Sequence, residues 1–177
     1  MLALLAVCCL TIAQAETLSL DDFANQAMVK IQNADFNKLF DDFILPKEYT
    51  AQDTKREKEA ITAAFEYLKD KIGLPGDFKK VDSTSDSLVT MDLATGTPET
   101  TGNLPSTNLL YKTTFSKEGA GYVLVGIYND GEKLYIKKIT FGLLQSSNSI
   151  QIVKDWFKFG MDLTKEQQKK YSNSSQQ

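Results

Sequence analysis

The sequence predicts an α+β domain: three N-terminal helices packed on a curved antiparallel sheet of about four strands, with an extra C-terminal helix. Apolar residues recur at helical spacing as far as residue 72, alternate in strand fashion between residues 78 and 141, and return to helical spacing after residue 148. Within YVLVGIYNDGEKLYIKKITF, the Asp130-Gly131 pair marks a tight hairpin turn, because both residues accept the positive φ angles it needs. Because the helices precede the strands as a block, their apolar stripes can be buried only on one face of the sheet.

The first helix covers residues 18–31. Ser19 caps it with Asp22 three residues on, and Leu20, Phe23, Ala24, Ala27, Met28 and Ile31 make its stripe. Asn33-Ala34-Asp35 breaks the pattern. A short second helix resumes with Phe36, Leu39, Phe40 and Phe43 and stops before Pro46. The third begins at a capping box, Thr50 with Asp53, and buries Ile61, Ala64, Phe65, Leu68 and Ile72. It ends at Gly73, with Pro75 beyond. Its charged run Lys55-Arg56-Glu57-Lys58-Glu59 reads as a solvated face.

Val89, Met91 and Leu93 share one face of a strand, and Leu109, Tyr111, Thr113 and Phe115 one face of another. Between them, residues 94–108 form a Thr-, Gly- and Pro-rich loop, long enough to be a lid or a disordered excursion. In the hairpin, Val123, Val125 and Ile127 share a face, as do Leu134 and Ile136, but Ile139 and Phe141 have the opposite parity. A bulge at Lys137-Lys138 restores one apolar face and bends the sheet; a sheet covered on both faces is the alternative. The last helix, from Ser149 to Leu163, presents Ile152, Val153, Trp156, Phe157 and Met161.

The 177 residues suit one domain. MLALLAVCCLTIAQA reads as a signal peptide over residues 1–15, cut between Ala15 and Glu16, which leaves a domain at 16–163 and a polar tail at 164–177 that frays. The expected location is periplasmic or secreted. Both cysteines, Cys8 and Cys9, fall in the leader, so the mature chain offers no disulfide and no thiolate nucleophile. Histidine is absent, which excludes imidazole acid–base chemistry, and no metal set or cofactor motif is present. Arg56 is the sole arginine and the net charge is −3, so nucleic acid is not an expected partner. No apolar run reaches the roughly 20 residues of a membrane span. Asn173-Ser174-Ser175 matches a glycosylation sequon.

The segments AMVKIQNADFNKLFDDF (27–43), KDKIGLPGDFKK (69–80) and the hairpin turn NDGEK resemble nuclear transport factor 2-like domains of the cystatin-like superfamily, in particular secreted bacterial members. The resemblance covers most of residues 18–144. It implies a cone, in which a curved sheet wraps on helices around a pocket. In the ketosteroid isomerases and dehydratases of that group the pocket holds an acid, a histidine or a tyrosine, and no such constellation stands at matching positions here.

Tyr67, Met91, Tyr111 and Phe115 come from elements expected to meet, and they either line a small apolar pocket with tyrosine hydroxyls as handles or belong to plain core packing. Trp156 and Phe157 are the candidate partner contacts. Their helix is expected to cover the outer sheet face, with docking to another subunit or to a membrane surface as alternatives. The pairs Asp21-Asp22 and Asp41-Asp42 suit helix ends better than catalysis, and strand parity places Asp92 toward solvent. The expected function is non-enzymatic binding of a small apolar ligand or a protein partner, with a homodimer through the sheet as one expected arrangement. The competing expectation is an isomerase- or dehydratase-type enzyme using Tyr and Asp.

Overall fold

The computed structural model describes residues 18–96 and 98–172; the segment expected to be a signal peptide (1–15) and the Asn173 sequon lie outside them. In chain order the elements are α1 (Leu20–Gln32), α2 (Phe36–Phe40), α3 (Ala51–Ile72), β1 (Lys79–Val81), β2 (Leu88–Ala94), a π-helical turn (Pro98–Gly102), β3 (Thr107–Phe115), β4 (Gly119–Asn129), β5 (Leu134–Leu144) and α4 (Ser147–Ser172). The architecture is α+β, with one five-stranded sheet of order β1-β3-β4-β5-β2, antiparallel throughout, curved and not closed.

Capping fixes where the helices start. Ser19 Oγ accepts the Asp22 N–H at 3.1 Å. At α3 the box is complete: Thr50 Oγ1 accepts the Asp53 N–H at 3.1 Å while the Asp53 carboxylate accepts the Thr50 N–H at 3.1 Å. α3 stops at Gly73, whose φ of 83° suits only glycine, and a Cβ there would fall 2.1 Å from Ser116 Oγ. The paired aspartates are structural: Asp21 binds Lys80, Asp41 binds Lys58 and Asp42 binds Lys30.

Residues opposite each other in an antiparallel ladder share a face. One inner row runs Tyr111, Val123, Phe141, Met91, and the next runs Leu109, Val125, Ile139, Leu93; all eight are buried. The helices pack on this face through Phe36 stacked on Phe65 at 4.9 Å and Phe65 edge-on to Phe141 at 6.0 Å. The outer face carries the rows Leu110, Leu124, Thr140, Asp92 and Lys112, Tyr122, Gly142, Thr90. Asp92 is exposed there, as parity predicts, and accepts a 2.5 Å hydrogen bond from Thr140.

The bulge is real. Gly126 faces Lys138 while Ile127 faces Ile136, which leaves Lys137 as the extra residue and buries both Ile136 and Ile139 on the inner side. On its other edge β5 pairs with β2 as far as Lys138. Beyond the bulge the segment 42–44 takes over, with Ile136 N–H bonding Asp42 O at 2.7 Å and Ile44 N–H bonding Ile136 O at 2.9 Å.

Helix α4 corrects one expectation. It does not lie over the outer sheet face but packs on α3 and β2, with Ile152, Val153, Trp156 and Phe159 joining the same core. Trp156 stands 5.9 Å and Phe159 4.2 Å from the Tyr67 ring of α3, while Gln167 bonds Arg56 O and Lys170 pairs with Glu59. Rising α4 numbers meet falling α3 numbers, so the two helices run antiparallel. Those distal contacts also explain why the helix continues to Ser172 through residues whose polarity alone reads as a frayed tail.

Candidate functional site

Of the four residues expected at a pocket, three lie apart from one another within the same buried core. Met91, Tyr111 and Phe115 are at most 1% exposed and belong to the packed core. Phe78 meets the Tyr111 ring edge-on at 5.6 Å, and Phe115 lies 6.1 Å from Phe141. Tyr67 stands apart, on the side of α3 that receives α4. The Tyr111 hydroxyl is buried without a hydrogen-bond partner among the described residues, and burial, with the Asp21 charge, pushes its pKa up to about 12. Trp156 is half-buried against Tyr67, whereas Phe157 is 63% exposed.

A cleft of about 420 Å³ opens at the end of the sheet where β5 bulges. Its walls come from three separate stretches: Ile44 to Glu48 after α2, Thr100, Thr101 and Leu104 around the π turn, and Tyr128, Asp130 and Tyr135 at the hairpin tip. Ile44, Leu45, Pro46 and Leu104 supply its apolar surface, beside the polar Lys47, Glu48, Thr100 and Thr101. Tyr128 and Tyr135 are cross-strand partners, with rings stacked at 6.4 Å, and Lys133 stands 5.0 Å over Tyr135. Asp130 accepts the N–H groups of Glu132 and Lys133 at 2.9 and 2.7 Å, and those bonds hold its carboxyl below the usual range. The cleft therefore offers phenols and apolar surface, with a carboxylate already committed to its own turn.

The wall around the π turn is fastened from several directions. Thr95 donates its hydroxyl to Ile44 O, and Thr101 donates to Thr95 O at 2.7 Å. The extra residue of the bulge, Lys137, reaches the carbonyls of Gly102 (2.7 Å) and Leu104. Gly96, at φ 71°, packs so closely that a Cβ would lie 2.8 Å from Pro46 Cγ. Glu57 accepts the Gly96 N–H, and the Tyr49 hydroxyl stands 3.5 Å away. Burial raises the Glu57 pKa, and burial followed by the Glu57 charge raises that of Tyr49.

Glu57 corrects the reading of residues 55–59 as a solvated face: the loop folds over this side chain and half-buries it. No local pattern announces that, since the covering residues lie about forty positions away in the chain. The NDG turn did point to the hairpin tip, but only as a turn. Among the described residues no three or more His, Cys, Asp and Glu side chains cluster to hold a metal ion, and no helix is long and apolar enough to cross a membrane.

Comparison with protein-family models, curated proteins and solved structures finds no match for this chain.

Proposed function

We propose that the chain is an exported, non-catalytic binding domain of nuclear transport factor 2-like type that holds a small, largely apolar ligand in the cleft at the loop end of the sheet. One observation carries the reading. The interior, where a cone enzyme keeps its pocket, is occupied by the packed rings of Phe65, Phe115, Phe141 and Tyr111, while a cleft of about 420 Å³ with both apolar and polar walls opens at the end of the sheet. Pockets of a few hundred Å³ with apolar walls and a few polar handles suit small-molecule binding.

The isomerase or dehydratase alternative requires a carboxylic acid with a raised pKa that faces the ligand. Glu57 is a carboxyl that burial raises above its ordinary value. It sits behind the loop, bonded to Gly96 and Tyr49, and does not line the cleft. Asp130, which does line it, is held ionised by backbone N–H groups and is a poor proton donor.

Native mass spectrometry of the protein purified from its own host tests the proposal. The expected spectrum shows a retained small molecule that disappears in Leu104→Asp, with circular dichroism confirming that the variant is folded. An unliganded wild type, or a ligand kept undiminished by Leu104→Asp, overturns it.

A further inference from the structure

A second hollow, of about 420 Å³, opens on the outer face of the sheet and shares the Thr101 wall with the end cleft. It stands over one cross-strand row: Asn108 on β3, Gly126 on β4, Lys138 on β5 and Ala94 on β2. Ala94 and Gly126 bring almost no bulk to that row, whereas the neighbouring row carries Leu110, Leu124 and Thr140 beside Asp92. A Cβ on Gly126 would lie 3.0 Å from Asn108 Oδ1 and 3.1 Å from Lys138 Cγ, so glycine lets those two side chains lie down on the sheet. Gly102 and Ser106, from the loop before β3, form the rim.

The polar groups of this hollow point to what it holds. Lys137 and Lys138 are adjacent at the bulge and meet different fates. Lys137 spends its ammonium on the Gly102 and Leu104 carbonyls. Lys138 is half-buried, yet its ammonium meets no acceptor or carboxylate among the described residues. Taking an ammonium partly out of water without a counter-charge is costly. Asp92 brings a carboxylate to the same hollow. Asp92 faces Thr140 and Ala94 faces Lys138, which makes Asp92 and Lys138 diagonal neighbours on one face, about 7–8 Å apart at the backbone. They form no ion pair with each other; Asp92 Oδ1 takes the Thr140 hydroxyl at 2.5 Å, and Oδ2 has no donor among the described residues. A molecule carrying both signs can span such a gap with a charge-assisted hydrogen bond of about 2.8 Å at each end.

We propose that this hollow binds a small zwitterion of the α-amino acid type, its carboxylate on the Lys138 ammonium and the Asn108 amide, its ammonium on Asp92 Oδ2. The Ser106 hydroxyl, also without a partner among the described residues, adds a polar handle at the rim. The site uses none of the apolar residues of the end cleft, so binding at one does not require binding at the other.

Amide NMR spectra of the ¹⁵N-labelled protein, titrated separately with each common l-amino acid to about 10 mM, test this. At least one amino acid is expected to give saturable shifts at Gly102, Asn108, Gly126 and Lys138. For that amino acid, the matching amine without the carboxylate and the matching acid without the amine should each bind about tenfold more weakly or worse. Lys138→Met and Asp92→Asn keep the shape of each side chain and should each weaken binding about tenfold. Lys112→Met, on the same face but outside the hollow, should leave it unchanged. Absence of saturable shifts with every amino acid overturns the proposal. So does binding undiminished in Lys138→Met and Asp92→Asn, when their spectra elsewhere match wild type. An acid that binds as tightly without its amine also overturns it, by making the hollow a plain anion site.

Discussion

Tyr111→Phe separates a packed interior from a working pocket. The ring is fully buried, edge-on to Phe78, and its hydroxyl bonds to no group among the described residues. An unsatisfied buried hydroxyl costs about 1–3 kcal/mol. Removing the oxygen while keeping the ring should therefore stabilise the fold by about 1 kcal/mol at pH 7, after allowance for lost packing. Titration supplies an independent check. The folded pKa, raised to about 12, lies above the ordinary value of 10.0. The contribution is thus intact below pH 10 and is lost as pH rises from there through 12, because the unfolded chain ionises first. At pH about 11.5 wild type should lose a further 2 kcal/mol or so relative to Tyr111→Phe. Urea unfolding of both proteins at the two pH values, followed by circular dichroism, measures each difference. If Tyr111→Phe is destabilised at pH 7, or the gap fails to widen in alkali, the hydroxyl has a partner and the interior holds a polar site after all.

Glu57→Gln tests the loop fastening. A carboxyl whose pKa is raised on folding contributes stability that is present below its unfolded pKa and lost as pH rises through the folded one. Glutamine mimics the protonated form, so the variant should be more stable than wild type at pH 7 and equal to it near pH 4 in thermal melts. For the bulge, deleting Lys137 makes β5 alternate regularly and keeps Ile136 and Ile139 on the inner face. It also removes the clamp on Gly102 and Leu104. The deletion should fold, with hydrogen exchange accelerated at residues 100–104. Inserting one alanine after Lys138 also makes the step from Ile136 to Ile139 even, but it moves Ile139 from opposite Val125 to opposite Val123 and should lower the urea midpoint by putting β4 and β5 out of register.

Local chemistry made most of the fold legible. Thr50 and Asp53 announce a capping box that the structure completes, and the three-residue step from Ile136 to Ile139 announces the bulge. What stayed hidden depends on long-range contact. The stripe of Trp156 says that one side of α4 is buried, yet it cannot say against what; the answer is Tyr67, on a helix far back in the chain. The three-residue β1 is equally quiet, because its pattern is too short to alternate. At the site, the cleft walls come from three loops with no shared period, and the burial of Glu57 arises from a distant segment closing over it. Met91, Tyr111 and Phe115 were identifiable as sharing the inner face, but sequence spacing does not distinguish a lining from a filling.

The bulge links the fold to the proposed site. A regular β5 could bury the same inner face, so core packing alone does not require the extra residue. Its two structural consequences both lie at the end cleft. It marks the point where β5 exchanges its edge partner, β2, for the segment 42–44 that leads into one cleft wall, and it turns Lys137 onto the carbonyls that hold another. A long cationic side chain spent on two loop carbonyls gives up a hydrated position to fix the geometry of that loop. With Thr95, Gly96 and Glu57 holding the same segment from the helical side, residues 94–96 and 100–104 form a built wall rather than a free lid. The local irregularities of this sheet therefore converge on the cleft, whereas the interior that the sequence nominated is filled by packed side chains.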